Sequence, residues 1–557
     1  MEYDFDICVV GSGAGGSPVA YEAANAGKKV VVLEKGPWFT EKDFSKDEIS
    51  ATRRSVYTPN LKDEYHILED QKNDGTWKAK STFDTGRDFW NGNCVGGSSN
   101  FMSGFFHRMK PKDFRLHSEY GKIKDANIVD WPITYDDLEK YYTKVEEVVG
   151  VSGQVVNHPN LEPRSTKDFP YPQLNEHFFS KKIDDACKKL GLYSLPIPRA
   201  IISKPKNNRG ACYYSAYCGS YPCSSGAKSS ARAALLNEAI KTGNLEIRDN
   251  SFVYKIETDA KGLARSVHYF NNGQQKKVSA KIFIIACQAI ETSRLLLLST
   301  GEKHPQGLGN KHNQVGKNLI FSAGGIGSGV INFNKFSKND VEEIKNKGLF
   351  INRSLQDWYE INDNEFGKKA KGGTIDFLLQ HPNAITRANK SKWGEDGLIW
   401  GVELKKKLEQ EFLYQDKLKF EVFNDWLPTD NCFVSLDKEA KDKWGNPIAK
   451  IRLGYHPHDL KVADYLSKKA VQVFKELNLE NVSYSVSGSP PNNLVAGGCR
   501  FGTDPKASVL DKDCRVHNCE NLFVTDASFM PTGGSVPYTW TIYANSFRVA
   551  DRILSEA

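Results

Sequence analysis

The sequence predicts an α/β fold, α+β overall, with a Rossmann-type nucleotide domain built from discontinuous segments and a second domain that contains a sheet. Three observations carry this prediction. A strand, glycine loop, helix and second strand open the chain; a Lys- and Asn-rich, aromatic stretch with few Gly-rich loops occupies about 325–490; and a closing strand, glycine loop and amphipathic helix return to the first pattern. At 557 residues and 39% hydrophobic, the chain can bury a large core and is too long for one simple domain.

The opening unit is the most specific. FDICVV (5–10) is a buried-type strand, GSGAGG (11–16) a glycine loop, SPVAYEAANAG a helix and KKVVVLEKG a second strand. In such a unit Gly11 permits the tight turn, Gly13 lets the backbone approach a pyrophosphate, and Gly16 lets helix and strand pack closely. The helix N-terminus adds amide donors for the phosphates. Glu34, ending the second strand, is placed to accept from adenosine ribose hydroxyls and disfavours a 2′-phosphate. This unit alone does not separate FAD from NAD.

Further along, WNGNCVGGSSNFMSGFFHR (90–108) combines Asn and Ser donors with consecutive glycines, which suits close backbone approach to a ligand. In DWPITYDDLEKYY, Pro132 breaks the chain and Thr134 or Asp136 caps an amphipathic helix. A Pro-rich connector follows, read as a surface crossing. From 227 the α/β pattern resumes with a helix, a strand LEIRDNSFVYKIETD, a hairpin partner ARSVHYF, a buried strand KIFIIAC and the helix AIETSRLLLLS. VSLDKEAKDKWGNPIAKIRLGY predicts a hairpin.

Bulk properties exclude several classes. A net charge of +7 over 557 residues, with lysines scattered along the chain (as at 188–191 and 405–407) among acids, gives no nucleic-acid patch. No apolar run reaches membrane-spanning length, and the acidic start MEYDFDICVV lacks the basic, greasy pattern of a signal peptide. Eleven cysteines, mostly single, argue against a disulfide scaffold. Cys212, Cys218 and Cys223, spaced by five and four residues in CYYSAYCGSYPCSSGAKSS, stand apart. Such a loop suits an iron–sulfur cluster, a disulfide with one spare thiol, or a zinc site.

Jointly, GSGAGG with Glu34, CVGGSSN, DWPITYDDLEKYY, IIACQAIETSRLLLLS and GGCRFGTDPKASVLDKDCRVHNCENLFVTDASFMPTGG resemble the glucose–methanol–choline (GMC) family of FAD-dependent oxidoreductases. The resemblance covers nearly the whole chain. Within the family it is most similar to the catalytic subunits of bacterial FAD glucose dehydrogenase, fructose dehydrogenase and gluconate 2-dehydrogenase. It implies an FAD-binding domain at 1–324, with inserted segments about 37–80 and 110–210, a substrate-binding domain at 325–490 whose antiparallel sheet covers the isoalloxazine, and a return to the FAD domain at 491–557.

The implied cofactor contacts carry over residue by residue. Gly11, Gly13, Ala14, Gly15 and Gly16 meet the pyrophosphate, and Glu34 with Lys35 the ribose. The loop Gly96, Gly97, Ser98, Ser99 and Asn100 meets the flavin region, Val253 the adenine, and Asp526 the pyrophosphate and ribityl chain. Pro537 and Tyr538 stand beside the flavin. Relatives that attach FAD covalently use a His two residues after the GGSS-type motif; here Asn100 and Phe101 follow it, so the FAD is expected to be non-covalent. The same region of the glucose and fructose dehydrogenases holds a [3Fe–4S] cluster on three cysteines, implying Cys212, Cys218 and Cys223 as its ligands. Here the last gap is one residue longer, and the usual Pro after the third Cys is Ser224.

The departure that matters most is at the chemistry. Hydride leaves an alcohol carbon easily only as the hydroxyl loses its proton, and family members place a His, paired with a His or Asn, to handle that proton. Here Leu494 in LVAGGCRFG and Pro537 in PYTWTI occupy those positions. Asn493 and Tyr538 are the neighbours expected to orient the substrate, with His456 and His458 in GYHPHD as candidate bases from the other domain.

The activity implied is oxidation of a CH–OH group of a sugar, polyol or sugar acid, with electrons passed to a protein or quinone acceptor. A long-chain or steroid alcohol oxidase is the alternative among enzymes, and the polar 325–490 stretch argues against its greasy channel. A flavin-binding electron-transfer or assembly subunit without alcohol chemistry is the rival from another class, motivated by Leu494 and Pro537. Relatives of this type work with a small subunit bearing the export signal and a c-type cytochrome. Periplasmic carriage with a partner and a cytoplasmic location both fit this chain.

Overall fold

The computed structural model describes residues 2–49, 57–72, 74–89, 91–322, 324–367 and 369–556. Trp90, which opens the second glycine-rich stretch, lies outside the described residues. Two sheets organise the molecule, and the loops of one face a surface of the other.

The first sheet has seven strands. Its parallel part runs through Leu245–Arg248, Val30–Leu33, Phe5–Val10, Gln274–Ile285 and Leu522–Val524. Strand Phe5–Val10 is almost wholly buried, as its unbroken apolar run requires of a strand covered on both faces. Gln274–Ile285 is long enough to serve twice. Its first half pairs antiparallel with Ala264–Asn271, and its second half lies between Phe5–Val10 and Leu522–Val524. Helices Ser17–Asn25, Tyr135–Val145 and Thr539–Glu556 pack together on this domain. Of the two caps the sequence allows for Tyr135–Val145, the chain uses Thr134: its hydroxyl accepts from the amide of Asp137, whose carboxylate accepts from the amide of Thr134.

The predicted single strand LEIRDNSFVYKIETD is in fact two. Asn250 turns at φ +49°, so Leu245–Arg248 ends the parallel edge while Ser251–Thr258 begins the antiparallel extension. Asn tolerates the left-handed region, and no apolar periodicity signals such a break.

The second sheet is six-stranded and antiparallel throughout, ordered Glu480–Val486, Gly325–Asn332, Gln415–Asn424, Gly373–Leu379, Arg353–Leu355 and Leu195–Pro196. Leu418, Phe420 and Val422 on one face join Phe377, Leu466 and Phe474 in a core beneath helix Pro457–Glu476. The opposite face, bearing Lys419, Glu421 and Phe423, turns to the nucleotide domain. The expected hairpin forms from Cys432–Lys441 and Pro447–Leu453, but it pairs with Ile67–Gln71 and Trp77–Ser81 in a separate four-stranded sheet. Trp444 at its turn stacks on Phe252 with ring centroids 4.0 Å apart, fastening this sheet to the nucleotide domain.

Candidate active site

One cavity of about 340 Å³ runs from the glycine loop to the free face of the six-stranded sheet. At its first end Gly11 adopts φ +96°, and a Cβ there would lie 2.2 Å from the carbonyl oxygen of Ala286, so only glycine can pass over the adjoining strand. A Cβ on Gly16 would lie 2.1 Å from the Gly11 carbonyl, which is the close helix–strand packing expected of the third glycine. Gly13 differs: it lines the cavity and a Cβ there meets nothing within 4 Å. The loop therefore leaves an open, amide-lined space at the N-terminus of a nine-residue helix, which is what a pyrophosphate requires.

Glu34 is fixed beside that space. Oε2 accepts from the Ser12 hydroxyl (2.6 Å) and amide (3.1 Å), and Oε1 from the Gly36 amide (3.0 Å). Burial raises its carboxyl above the usual range despite these bonds. Lys35 pairs with Glu64 at 2.8 Å, and Phe252 and Val253 complete the wall at this end. Asp526 lines the middle of the cavity. One of its oxygens accepts from the amide of Gln288 (3.0 Å) and the hydroxyl of Thr292, and the other from the amide of Ser528 (2.9 Å). Ala14, Gly15, Gly97, Ser98 and Ser99 also line the cavity, whereas Gly16, Gly96 and Asn100 stand behind it. The Asn100 amide turns back onto the carbonyls of Val95 (3.0 Å) and Gly97 (3.1 Å), and Phe101 is buried against Tyr57. Neither is a group that bonds covalently to a flavin.

Asn493, Leu494, Pro537 and Tyr538 also line this cavity, as do Leu378, His381, Glu421 and Phe423 from the six-stranded sheet and the segment after its strand Gly373–Leu379. Leu494 adopts φ +56°, a conformation a bulky residue rarely takes. The Tyr538 hydroxyl donates to the Leu494 carbonyl and is committed there; burial pushes its phenol well above the usual value, so it is no proton acceptor. Asn493 remains at the cavity. His456 and His458 are not brought to the cavity. His456 caps helix Pro457–Glu476, its Nδ1 accepting from the His458 amide (3.1 Å) and its Nε2 donating to the Lys124 carbonyl (2.9 Å), while His458 packs edge-on against Phe366.

The residues that sequence reasoning missed are His381 and Glu421. Burial is the main cause that lowers His381 to about 4, helped by Lys419, Lys228, Lys347 and Arg199. Burial, and then Asp376, raise Glu421 to about 6 against the pull of Lys419 and Arg199.

A second cavity of about 100 Å³ is lined by Cys212, Cys218 and Cys223 together. It shares Ser103, Phe105, Leu378 and His381 with the first cavity, so the two are separated by single side chains. The loop is clamped from beneath: buried Lys228 donates to the carbonyls of Cys218 (2.8 Å) and Tyr221 (2.6 Å), and Lys46 to those of Tyr217 (3.0 Å) and Pro222 (2.8 Å). Burial opposes ionisation of Cys223, but Ser225 and Lys228 bring its thiol below the usual value, whereas burial drives Cys212 up to about 12. All eleven cysteines are free thiols. Among the described residues no three His, Cys, Asp or Glu side chains form a group that could hold a metal ion.

Comparison with known proteins places this geometry. Two family models, both described as GMC oxidoreductase, match residues 9–322 and 428–546. The chain is 30% identical to 2-methyl-1,2-propanediol dehydrogenase of Mycolicibacterium austroafricanum, over 98% of this chain and 95% of that one. It is 27% identical to the fructose dehydrogenase large subunit of Gluconobacter japonicus, over 99% and 98%. Among solved structures, pyridoxine 4-oxidase from Mesorbium loti superposes with a TM-score of 0.63 at 16% identity, covering 99% of each chain. A formate oxidase variant from Aspergillus oryzae gives 0.65 at 17%, covering 99% and 98%.

Proposed function

The chain belongs to the GMC oxidoreductase family, and from that premise we propose that it is an FAD-dependent dehydrogenase that oxidises a CH–OH group of a sugar, polyol or sugar acid. The observation that carries this reading is the single cavity joining the dinucleotide loop to a sheet face bearing Glu421 and His381. Both relatives named above as dehydrogenases act, by their names, on small polar alcohols, which supports a polar substrate over a long-chain or steroid one.

The residues present fit FAD. The loop around Gly11, Gly13 and Gly15 with the amides of the first helix would hold the pyrophosphate, Glu34 the ribose hydroxyls, Val253 the adenine edge and Asp526 the ribityl side. Bound FAD supplies a two-electron acceptor for the hydride leaving the alcohol carbon. The protein's own part is to bind and orient the alcohol between Asn493 and the sheet, to exclude water, and to receive the hydroxyl proton. Non-covalent attachment is supported by the placement of Asn100 and Phe101. We read the chain as an FAD-binding body at 1–324 and 491–557 with a substrate-binding region at 325–490.

The cysteine loop extends the reading. Three thiols lining one cavity, on a loop held by buried Lys228 and half-buried Lys46, would be the ligands of a [3Fe–4S] cluster, and such a cluster would supply one-electron transfer onward. A partner subunit, with a cytochrome or quinone as final acceptor, accords with the relative named as a large subunit.

The test is a visible spectrum of the purified protein, repeated without oxygen against sugars, polyols, sugar acids and 2-methyl-1,2-propanediol. Full bleaching of an acid-extractable flavin band by one of these is the expected result, with iron and sulfide near three to four atoms per chain if the cluster is present. A flavin that no alcohol bleaches would instead establish a flavin-binding subunit that gave up this chemistry.

A further inference from the structure

No described residue at the positions of the family's proton-handling pair can take a proton: Leu494 is apolar and Pro537 has no side-chain donor or acceptor. The Tyr538 hydroxyl is already spent on the Leu494 carbonyl. The six-stranded sheet is different. Glu421 projects from the central part of strand Gln415–Asn424 on the face away from the core formed by Leu418, Phe420 and Val422. Its cross-strand partners are Asp376 on one side and Ile326 on the other. Asp376 is wholly buried, with both oxygens 3.2 Å from Nε2 of buried His107, while Ile326 is 59% exposed. Glu421 thus sits where the sheet passes from sealed interior to open mouth. Its carboxylate has no hydrogen-bond partner among the described residues, yet it lines the same cavity as Leu494 and Pro537.

We propose that Glu421 is the general base of this enzyme, accepting the alcohol proton from the sheet side in place of the missing histidine. The proposal rests on the dehydrogenase reading above. In the step, the hydroxyl O–H bond breaks and its proton goes to a Glu421 oxygen. The electron pair left on oxygen forms the carbonyl bond, and the C–H pair leaves as hydride to the flavin. Substrate loses one proton and one hydride, and no other reactant is needed.

The surroundings favour this role. Glu421 is half-buried; a carboxylate partly withdrawn from water and lacking donors is a stronger base than a fully exposed one, and a proton acceptor works best when its pKa lies near the working pH. The charged and titratable groups that face it are Asp376 with its partner His107 across the sheet, Lys419 on its own strand, Arg199 beneath, and His381 on the same cavity. Asp376 and burial push Glu421 up; Lys419 and Arg199 keep it from rising further. His381 is the competing acceptor, but burial, helped by Lys419, Lys228, Lys347 and Arg199, holds it low, at about 4.

The test uses the FAD-loaded full chain with E421Q, E421D and H381N. Flavin bleaching is followed in single turnover with the fastest alcohol of the panel, from pH 4.5 to 9. In the wild type the rate rises through an apparent pKa near 6 and then levels, because the base must be ionised. E421Q should lose about 10²–10⁴-fold, the range for a removed general base, and lose the rising limb. E421D should recover part of the rate with the limb intact, and H381N should keep the limb even where its rate falls. Two measurements stand apart from turnover. E421Q should bind FAD stoichiometrically, showing that it folds. Its thermal midpoint, measured without substrate, should exceed that of the wild type above pH 6 and match it near pH 4.5, because the poorly solvated charge, only partly offset by Lys419 and Arg199, exists only above the carboxyl's pKa. If E421Q bleaches within threefold of wild type, or H381N alone abolishes the limb, Glu421 is not the base while the dehydrogenase reading stands. A wild-type flavin that no alcohol bleaches overturns both.

Discussion

Two residues show how side chains that touch nothing, or too much, define the cofactor site. A Cβ on Gly11 collides with the strand beneath it, whereas one on Gly13 meets only empty space. The two glycines therefore make separable predictions. Gly13→Ala should leave the thermal stability of the FAD-free protein within about 0.5 kcal/mol of wild type, since nothing in the protein is displaced. It should weaken FAD binding by about 1–3 kcal/mol, the usual penalty for overpacking, because the added methyl enters the pyrophosphate space. Titration of FAD against both proteins by fluorescence quenching checks it; equal affinities would mean that the pyrophosphate does not approach Gly13. Leu494 is the other extreme. It lines the cavity at φ +56°, a backbone state that costs a side-chain-bearing residue about 1–2 kcal/mol, and it is held there by the Tyr538 hydroxyl and by the pairing of Val495–Gly497 with Leu319–Phe321.

Among elements, the cysteine loop is the one whose shape is least determined by its own sequence. Tyr214, Ala216 and Ser220 all take positive φ, and Gly219 packs so closely on His381 that a Cβ would approach its ring to 2.4 Å. Such a run of left-handed residues persists only when its surroundings fix it. Here the fixing groups are the ammonium ions of buried Lys228 and half-buried Lys46, each donating to two loop carbonyls. Lys228→Met keeps the bulk but removes the donors, leaving the carbonyls of Cys218 and Tyr221 buried. It should destabilise the protein by about 1–3 kcal/mol in urea denaturation and speed amide exchange at 212–223. Unchanged exchange in that loop would show that the lysine is not what shapes it.

For the whole molecule, electrostatics join parts distant in sequence. Glu291 on helix Ala289–Leu298 meets His66 at 2.8 Å and Arg294 at 3.4 Å, and Arg294 continues to Asp442 at 2.6 Å. The four-stranded sheet is thereby tied to the nucleotide domain along the cavity edge. Burial alone would raise Glu291, but His66, Arg294 and Lys35 hold it well below its ordinary 4.5. A carboxyl depressed in the folded state stabilises above its unfolded pKa, and that contribution is lost as pH falls through the folded value. Glu291→Gln should therefore cost about 1.5–3 kcal/mol at pH 7, as for a hydrogen bond to a charged group. The gap from wild type should narrow progressively below pH 4.5, read from urea midpoints at each pH. A gap independent of pH would assign the cost to packing instead of charge.

What the sequence determined by itself were features written in local spacing. The glycine loop with Glu34, a helix start at Thr134 or Asp136 and the hairpin at 432–453 each depend on neighbours a few residues apart, and together with the longer motifs they identified the family and its cofactor; which residue caps that helix was left to the structure. Leu494 and Pro537 even announced that the usual proton acceptor is missing. The break at Asn250 was not legible, because a single left-handed Asn leaves the apolar pattern intact. Glu421 was not legible for a deeper reason. In KLKFEVF the alternation of Leu418, Phe420 and Val422 fixes a strand and its buried face, and by the same rule consigns Lys419 and Glu421 to the outside. Only the tertiary structure lays that outer face over the first sheet's loops, turning a solvent-facing carboxylate into a half-buried one beside Asp376 in the cavity that Leu494 also lines. Desolvation, which gives the residue its chemistry, is a property of where two domains meet and is encoded in neither strand alone.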